Sequence, residues 1–252
     1  MINVSLKFIC LNLWHGGMLW DELADWLQNE QADILALQEV YKSDDQSLEK
    51  RYRSLEELSQ ALALPYYSFA PAFRDLRFEV AEMGNGVLSK FPVEAENVVF
   101  YDVPYDDNFT ESEDFTYVPR NLQHVTVRIG GNTLNVFNTQ GIWGLDGDDN
   151  ERRLNMAKTI VKEIGDKENV VLAGDFNVKE KTKTVGIIEE RLTNVFKGEL
   201  KSSFNMKRKK DGGFGTAVVD MIFVSKEIKI VEHYVPKVDV TDHMPLAVVL
   251  EI

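Results

Sequence analysis

Apolar positions switch between two periods along this chain, and the switches mark its elements. Val4 to Leu11 is β-rich and ends at Asn12. Leu19, Leu23, Trp26 and Leu27 then recur at helical spacing. The short apolar run Ala32 to Val40, bounded by polar residues, predicts a buried strand that closes at Glu39. Leu48, Tyr52, Leu55, Leu58 and Leu62 predict a second helix, stopped by Pro65. From Tyr66 to Ile129 the runs are short and strand-like, punctuated by Gly84, Gly86, Pro92, Pro104 and Pro119. Within that region the acidic stretch Asp102 to Asp114 reads as a long surface loop. Leu122 to Ile129 and Thr133 to Thr139 predict a hairpin through Gly130, Gly131 and Asn132. Asp148 or Asp149 is placed to cap a helix whose apolar face is Leu154, Ala157, Ile160, Val161 and Ile164. Val170 to Ala173 is a buried strand, and Val218 to Val224, Ile228 to Val235 and Leu246 to Ile252 are the last strands. Hairpins mixed with helical crossovers predict two sheets packed together with helices outside.

Polar residues that interrupt this pattern share one placement. Asn12, Glu39, Asn138, Asp175 and Asn177 fall at or just past the ends of apolar runs, where sites on α/β scaffolds are built. Glu39 ends a run that should be buried, so its carboxylate needs a cation or donors. A Lys or Arg would serve, or Glu39 is a hard oxygen ligand for Mg2+ or Mn2+. Gly174 allows a sharp turn, and extended backbone would put Asp175 and Asn177 on the same side. Asp175 can accept a proton from water, while Asn177 can donate to an oxyanion. Asp220 interrupts the apolar run Val218 to Phe223, and a His that it orients and keeps protonated is its natural partner. In Thr241-Asp242-His243, Asp242 can bind a metal and His243 can donate to a phosphate or a leaving oxygen.

Taken in order, these segments closely resemble the endonuclease/exonuclease/phosphatase superfamily, which is DNase I-like. The resemblance runs from Leu11-Asn12 through Leu37-Gln38-Glu39, Gly84-Asn85-Gly86-Val87-Leu88-Ser89, Asn138-Thr139, Gly174-Asp175-Phe176-Asn177 and Val219-Asp220-Met221-Ile222 to Thr241-Asp242-His243. It implies an α/β fold, a four-layered α/β/β/α sandwich with two packed mixed β-sheets, in one domain over residues 1–252. It implies that Glu39 is the principal ligand of Mg2+ or Mn2+, helped by Asn12 and Asp242. Asp175 would position or deprotonate the attacking water, and Asn177 would orient phosphate. His243 would pair with Asp220 and stabilise the pentacovalent phosphorus, with Arg120, Asn138 and Gln140 as substrate contacts. One position departs from the pattern: many relatives read Asn-Thr-His-Leu where this chain reads Asn138-Thr139-Gln140-Gly141. Gln140 can hydrogen-bond a phosphate oxygen but carries neither charge nor a titrating proton. That argues against the readings nearest DNase I and the sphingomyelinases.

Composition narrows the substrate. The 252 residues carry a formal net charge of −13, a field that repels polyanions at long range. Lys207 to Lys210 is the one dense basic run, either a solvated loop or a phosphate-capturing rim. Together they favour a small molecule or a short nucleic acid over long duplex DNA. Trp14 to Gly17 follow Asn12 and are placed to line the same cleft, and Trp143, in the Gly-rich loop Gly141 to Gly147, either stacks on a substrate base or sugar or packs, with packing favoured. The single cysteine, Cys10, excludes an intrachain disulfide and reads as a buried apolar strand residue. No run approaches the roughly 20 apolar residues that span a bilayer, and no leader pattern precedes Leu6, so the expected location is cytoplasmic. A Ser/His acyl hydrolase is excluded by the lack of a nucleophile elbow. The readings that remain are a metal-dependent phosphodiesterase or phosphomonoesterase, a nuclease in particular, and a non-catalytic phosphate-binding module.

Overall fold

In the computed structural model of the chain, residues 4–76, 81–110, 115–209 and 216–252 are described. In chain order the elements begin with β1 (Ser5–Asn12), α1 (Trp20–Glu30), β2 (Ile34–Lys42), α2 (Ser54–Ala61), β3 (Tyr66–Asp75) and β4 (Ala81–Ser89). They continue with β5 (Val93–Phe100), β6 (Asp106–Phe109), β7 (Asn121–Ile129), β8 (Asn132–Gln140) and α3 (Glu151–Ile164). The last are β9 (Val170–Asp175), α4 (Lys183–Glu189), β10 (Thr193–Asn194), β11 (Asp220–Val224), β12 (Lys229–Tyr234) and β13 (Leu246–Glu251). Two mixed sheets result, one ordered β12-β13-β1-β2-β4-β3-β6 and the other β10-β11-β9-β8-β7-β5. Helices α1 and α2 cover the outer face of the first, and α3 and α4 that of the second. The expected α/β/β/α sandwich is what forms.

Alternate residues of the central strands face the opposing sheet, and each inward row changes character along its length. Leu6, Phe8 and Cys10 lead to Asn12; Ile34 and Ala36 lead to Gln38; Leu134 and Val136 lead to Asn138. Val171 and Ala173 lead likewise to Asp175, while the antiparallel strands run backwards, from Val127 and Val125 to Gln123 and Asn121, from Val87 to Asn85, and from Val224 and Ile222 to Asp220. The space between the sheets is therefore oily at one end and polar at the other. The polar end is a network of amides. Gln38 Nε2 donates to Asn138 Oδ1 at 2.6 Å, and Asn138 Nδ2 donates to the carbonyls of Leu37 at 2.9 Å and Gly86 at 3.1 Å and to Gln123 Oε1. Asn85 Nδ2 donates to Asn121 Oδ1 at 2.9 Å, and Asn121 Nδ2 reaches the carbonyls of Ala70 and Pro71.

Several boundaries differ from the expectation, each for a local reason. The run Leu48 to Leu62 is broken in two: a 3-10 turn, Lys50–Arg53, precedes α2. The buried Ser54 hydroxyl accepts from the Tyr41 N–H at 2.9 Å and anchors the chain to β2 at the join. Neither Asp148 nor Asp149 caps α3; Asn150 does, its Oδ1 accepting from the Arg153 N–H. Asp149 instead receives the N–H groups of Lys183 and Thr184 at the start of α4, a helix that the apolar pattern did not suggest. The buried face of α3 is Arg153, Met156, Ala157, Ile160 and Ile164, with Leu154 and Val161 at its flanks. The expected hairpin forms, with Ile129 opposite Asn132. In the expected loop 102–114, β6 adds an edge strand alongside β3, and residues 111–114 lie outside the described residues.

Replacing Asn138 by Leu, nearly equal in size, strands the carbonyls of Leu37 and Gly86 and the amides of Gln38 and Gln123. The expected loss is about 3 kcal/mol in urea unfolding with an unchanged m-value. A loss under about 1 kcal/mol would show that the network contributes little.

Candidate active site

The polar ends of the two sheets open into one cavity of about 530 Å³, lined among others by Trp14, His15, Glu39, Arg120, Gln140, Asp175, Asn177, Asp242 and His243. Glu39 reaches it through a β-bulge rather than a strand end. Leu37 pairs with Gly86 but Val40 with Gly84, so β2 carries one extra residue here and continues to Lys42. The bulge holds Glu39 at φ +56°, which turns Gln38 into the inter-sheet layer and Glu39 toward the cavity. The loop after β1 wraps this bulge. Leu13 N donates to the Gln38 carbonyl and Gly16 N to the Glu39 carbonyl, and residues 14 to 17 all have positive φ.

Asp175 closes β9 between two other polar strand ends, opposite Gln140 on β8 and Asp220 on β11. Gly174 is not a turn here but a strand residue. A Cβ at this position would lie 2.0 Å from the Thr139 carbonyl oxygen, so only glycine lets β8 and β9 approach. The chain turns at Asn177, φ +54°, whose N–H donates to Asp175 Oδ1 at 3.0 Å and whose Nδ2 donates to the Gly141 carbonyl. Asp175 and Asn177 thus share the cavity through a left-handed turn, while Phe176 between them is buried under α3. The 241–243 loop is fixed by the Thr241 hydroxyl, which donates to the Asn12 carbonyl, and by residues 203–205, whose backbone brackets it.

Donors are shared unevenly. Glu39 accepts from Asn12 Nδ2 at 3.2 Å, Gln140 Nε2 at 2.9 Å and the His15 N–H at 2.8 Å. Burial would raise its carboxyl, but the His15 charge and N–H, the Asn12 amide and the His243 charge outweigh that and lower it to about 2. No Lys or Arg bridges Glu39 among the described residues; the His15 ring lies 3.9 Å from its carboxylate. Asn12 Nδ2 also donates to Asp175 Oδ2, so one amide spans carboxylates from both sheets. Asp175 is raised by burial and by the Asp220 charge, against the pull of His243. His243 Nδ1 and Asp220 Oδ2 lie 2.8 Å apart. Burial would lower the imidazole, but the charge and hydrogen bond of Asp220 dominate and hold it up to about 10. Arg120 is half-buried, and its Nε and Nη1 are shielded with no partner among the described residues; burial lowers it while Glu39 and Asp175 pull it up. Lys209 donates to Asp242 Oδ2 at 3.2 Å, while Asp242 Oδ1 has no hydrogen-bond partner among the described residues and lies 4.0 Å from His243 Nε2.

Of the residues singled out from the sequence, Asn12, Glu39, Arg120, Gln140, Asp175, Asn177, Asp220, Asp242 and His243 converge here. Asn138 does not: it is fully buried behind the cavity and spends its amide on the sheets. Gln140 lines the cavity and donates its Nε2 to Glu39 Oε1. Lys210 and residues 211–213 of the basic loop lie outside the described residues, while Lys209 lines the cavity and Arg208 pairs with Asp239. Two contributors carried no sequence signal. Phe204 packs against the His243 ring at 4.7 Å. Arg153, fully buried in α3, donates to the carbonyls of Ile142 and Asp148 and so folds the Trp143 loop over the cavity. A helical cation on an apolar face was the only clue to it.

The donor set suits a hard divalent ion. Glu39, Asp175 and Asp242 bring carboxylate oxygens to one cavity, and Asp242 Oδ1 is unsatisfied. Asn12 presents its N–H side, because its Oδ1 accepts from the Trp14 N–H, and would become a ligand only with its amide reversed. Asp175, Asp220 and His243 also offer ligand atoms within 4.8 Å of one another. There, however, Nδ1 is committed to Asp220, whose charge and hydrogen bond favour the protonated ring, and this disfavours it as a ligand.

Residues 11–243 match the family model described as the Endonuclease/Exonuclease/phosphatase family. Among solved structures, an endonuclease/exonuclease/phosphatase from Beutenbergia cavernae superposes with a TM-score of 0.78 at 18% identity, covering 98% of this chain and 72% of its own. A mannosyl-6-phosphatase from Bacteroides thetaiotaomicron gives 0.66 at 18%, covering 97% and 99%. TDP2 from D. rerio, complexed with a single-strand DNA product, gives 0.70 at 14%, covering 98% of each chain. No curated protein matches the sequence.

The His243–Asp220 pair sets a pH dependence. Because the folded imidazole is raised, its contribution is fully present below about pH 6.5 and is lost as pH rises toward about 10. In metal-free protein, the stability advantage over His243→Gln should shrink by a few kcal/mol across that window. Denaturant melts at pH 6 and 9.5 measure it, and a constant advantage would mean that the ring is neutral.

Proposed function

This chain belongs to the endonuclease/exonuclease/phosphatase family, and we propose that it is a Mg2+- or Mn2+-dependent hydrolase of a phosphate ester, acting by in-line attack of water. One observation carries the reading. A single cavity combines a carboxylate set suited to a hard cation with buried donors that have no partner among the described residues, Arg120 Nε and Nη1. Unsatisfied buried donors of this kind are costly in a structural role and useful in binding a phosphoryl group.

Glu39, with Asp242 and a reversed Asn12, would hold the cation. When bound, it would offset charge on the phosphoryl oxygens and favour ionisation of water. The chain's own groups divide the remaining work. Asp175, raised toward neutrality by burial and by Asp220, is suited to take the proton from the attacking water. The Asn177 N–H fixes one Asp175 oxygen, so the base is oriented before substrate arrives; the Asn12 amide holds the other only until it reverses toward the cation. His243 has Nδ1 on Asp220, which leaves its Nε2 proton for a phosphoryl or leaving oxygen. Arg120 would supply donors to the non-bridging oxygens. Asn177 keeps one amide hydrogen beyond the one given to Gly141.

Substrate size follows from charge. The net −13 opposes a long polyanion, and Lys209 is the rim cation that reaches the cavity. This supports a small phosphate ester or a short nucleic acid. The names of the similar structures span a sugar phosphatase and a DNA-bound enzyme, so the fold alone does not choose between them.

The test is hydrolysis of bis-p-nitrophenyl phosphate, then of sugar phosphates, nucleotides and short oligonucleotides, with Mg2+ or Mn2+. Asp175→Asn and His243→Gln should each lower kcat by roughly 10²- to 10⁴-fold. Glu39→Gln should raise the metal concentration needed for half-maximal rate. A metal-dependent rate that survives Glu39→Gln and Asp175→Asn unchanged would sink the assignment.

A further inference from the structure

A second cavity of about 280 Å³ adjoins the first and shares four of its walls, His15, Glu39, Arg120 and Trp143. Its remaining walls are apolar: Phe73, Met83, Phe109, Phe115 and Val118. We propose that this annex is a subsite for a planar aromatic group carried on the substrate phosphate, one ring or a fused pair in size. The assignment rests on the phosphoesterase reading of the main cavity.

Three features point to that occupant. The walls are rich in rings: Phe73 and Phe109 pack at 4.2 Å between centroids, and Phe115 meets Trp143 edge-on at 6.4 Å. Such walls favour a flat guest that stacks or meets ring edges. The floor and the mouth differ. Phe73, Met83, Phe109 and Val118 are buried, whereas Phe115 is 46% exposed and Trp143 half-buried, so the annex opens outward past two rings. Finally, Arg120 lines both cavities. A phosphate held by its guanidinium therefore places an ester group next to the annex, with the cation available to a ring face. The volume is below the roughly 300–1,000 Å³ of sites for larger ligands, which leaves room for one ring system. Met83 lends its unbranched side chain to adjust the fit.

The probes are methylphosphonate, cyclohexylphosphonate and phenylphosphonate, which cannot be hydrolysed, titrated calorimetrically into the full chain with Mg2+. Phenylphosphonate should bind at least about tenfold more tightly than methylphosphonate, and several-fold more tightly than cyclohexylphosphonate. In Phe115→Ala, whose fold is checked by circular dichroism, the phenyl-to-methyl ratio should fall below about three. Phe115→Leu, which stays apolar but loses the ring, should restore little of it. Equal binding of the phenyl and methyl probes, or a preference that survives Phe115→Ala, would overturn the subsite. Turnover of bis-p-nitrophenyl phosphate and of the sugar phosphates, nucleotides and short oligonucleotides is followed in parallel. A phenyl preference without turnover keeps the subsite and sinks the hydrolase reading; turnover without a preference sinks the subsite alone.

Discussion

The amide network between the sheets is the constraint on which the rest of the molecule depends. An apolar layer holds two sheets together but tolerates sliding, because area burial has no direction. Buried amides do not tolerate it. Gln38, Asn85, Asn121, Gln123 and Asn138 are each almost fully excluded from water, so each must find partners. Asn138 meets the carbonyls of Leu37 and Gly86 only at one setting of β8 over β2 and β4. That setting places Glu39, one residue past Gln38, against Asp175 on the other sheet, close enough for the Asn12 amide to touch both. The precision of the cavity is inherited from bonds formed behind it.

The cavity itself is poorly satisfied as a piece of protein. Glu39 sits in a left-handed bulge, beside a loop with four successive positive φ angles. Asp175, Asp220 and Asp242 crowd the same end of the sheets, and the countercharges are a protonated His243, a partly shielded Arg120 and Lys209 at the rim. Such an arrangement costs stability and is tolerated because the oily half of the inter-sheet layer and the two helix-covered faces supply it. Cation and phosphate would together satisfy the atoms that the chain leaves bare. Arg153 shows the same division of labour from the far side. A fully buried guanidinium inside α3 has no role in the core except to hold the loop that carries Trp143 over the cavity.

Much of this was legible in the sequence because it is written at period two. Leu6-Phe8-Cys10-Asn12 and Val171-Ala173-Asp175 show apolar rows that turn polar at one end, and the sites follow from those ends. The sandwich was legible for the same reason, together with the helical face that ends in Ile160 and Ile164. Other features were hidden because their cause is tertiary. The Glu39 bulge requires knowing that β2 pairs with β4 across Gly84 and Gly86. Gly174 read as a turn because its real constraint, the Thr139 carbonyl, is 35 residues away along the chain. Asp148 or Asp149 was assigned to the helix that follows, although Asp149 receives N–H groups at the start of α4, which is distant in sequence. The aromatic annex joins residues from β3, β4, β6, the segment before β7 and the loop after β8, and no window of sequence contains them together.

Gln140 connects these points. A His at this position, as many relatives carry, could place a positive charge beside Glu39 and share in holding phosphate. Gln140 is neutral and gives its amide hydrogen to Glu39 Oε1. Glu39 therefore keeps its full negative charge, and the attraction for a divalent ion is undiminished on that side. On the proposed function, phosphate would lose one cationic contact and depend more on Arg120 and His243. Arg120 is also one of the four walls shared by the polar cavity and the apolar annex. Moving the weight of phosphate binding from position 140 to Arg120 shifts the anion toward the aromatic walls. The departure from the family pattern and the annex are on this view two sides of one adjustment, in which charge contact is exchanged for recognition of the group that the phosphate carries.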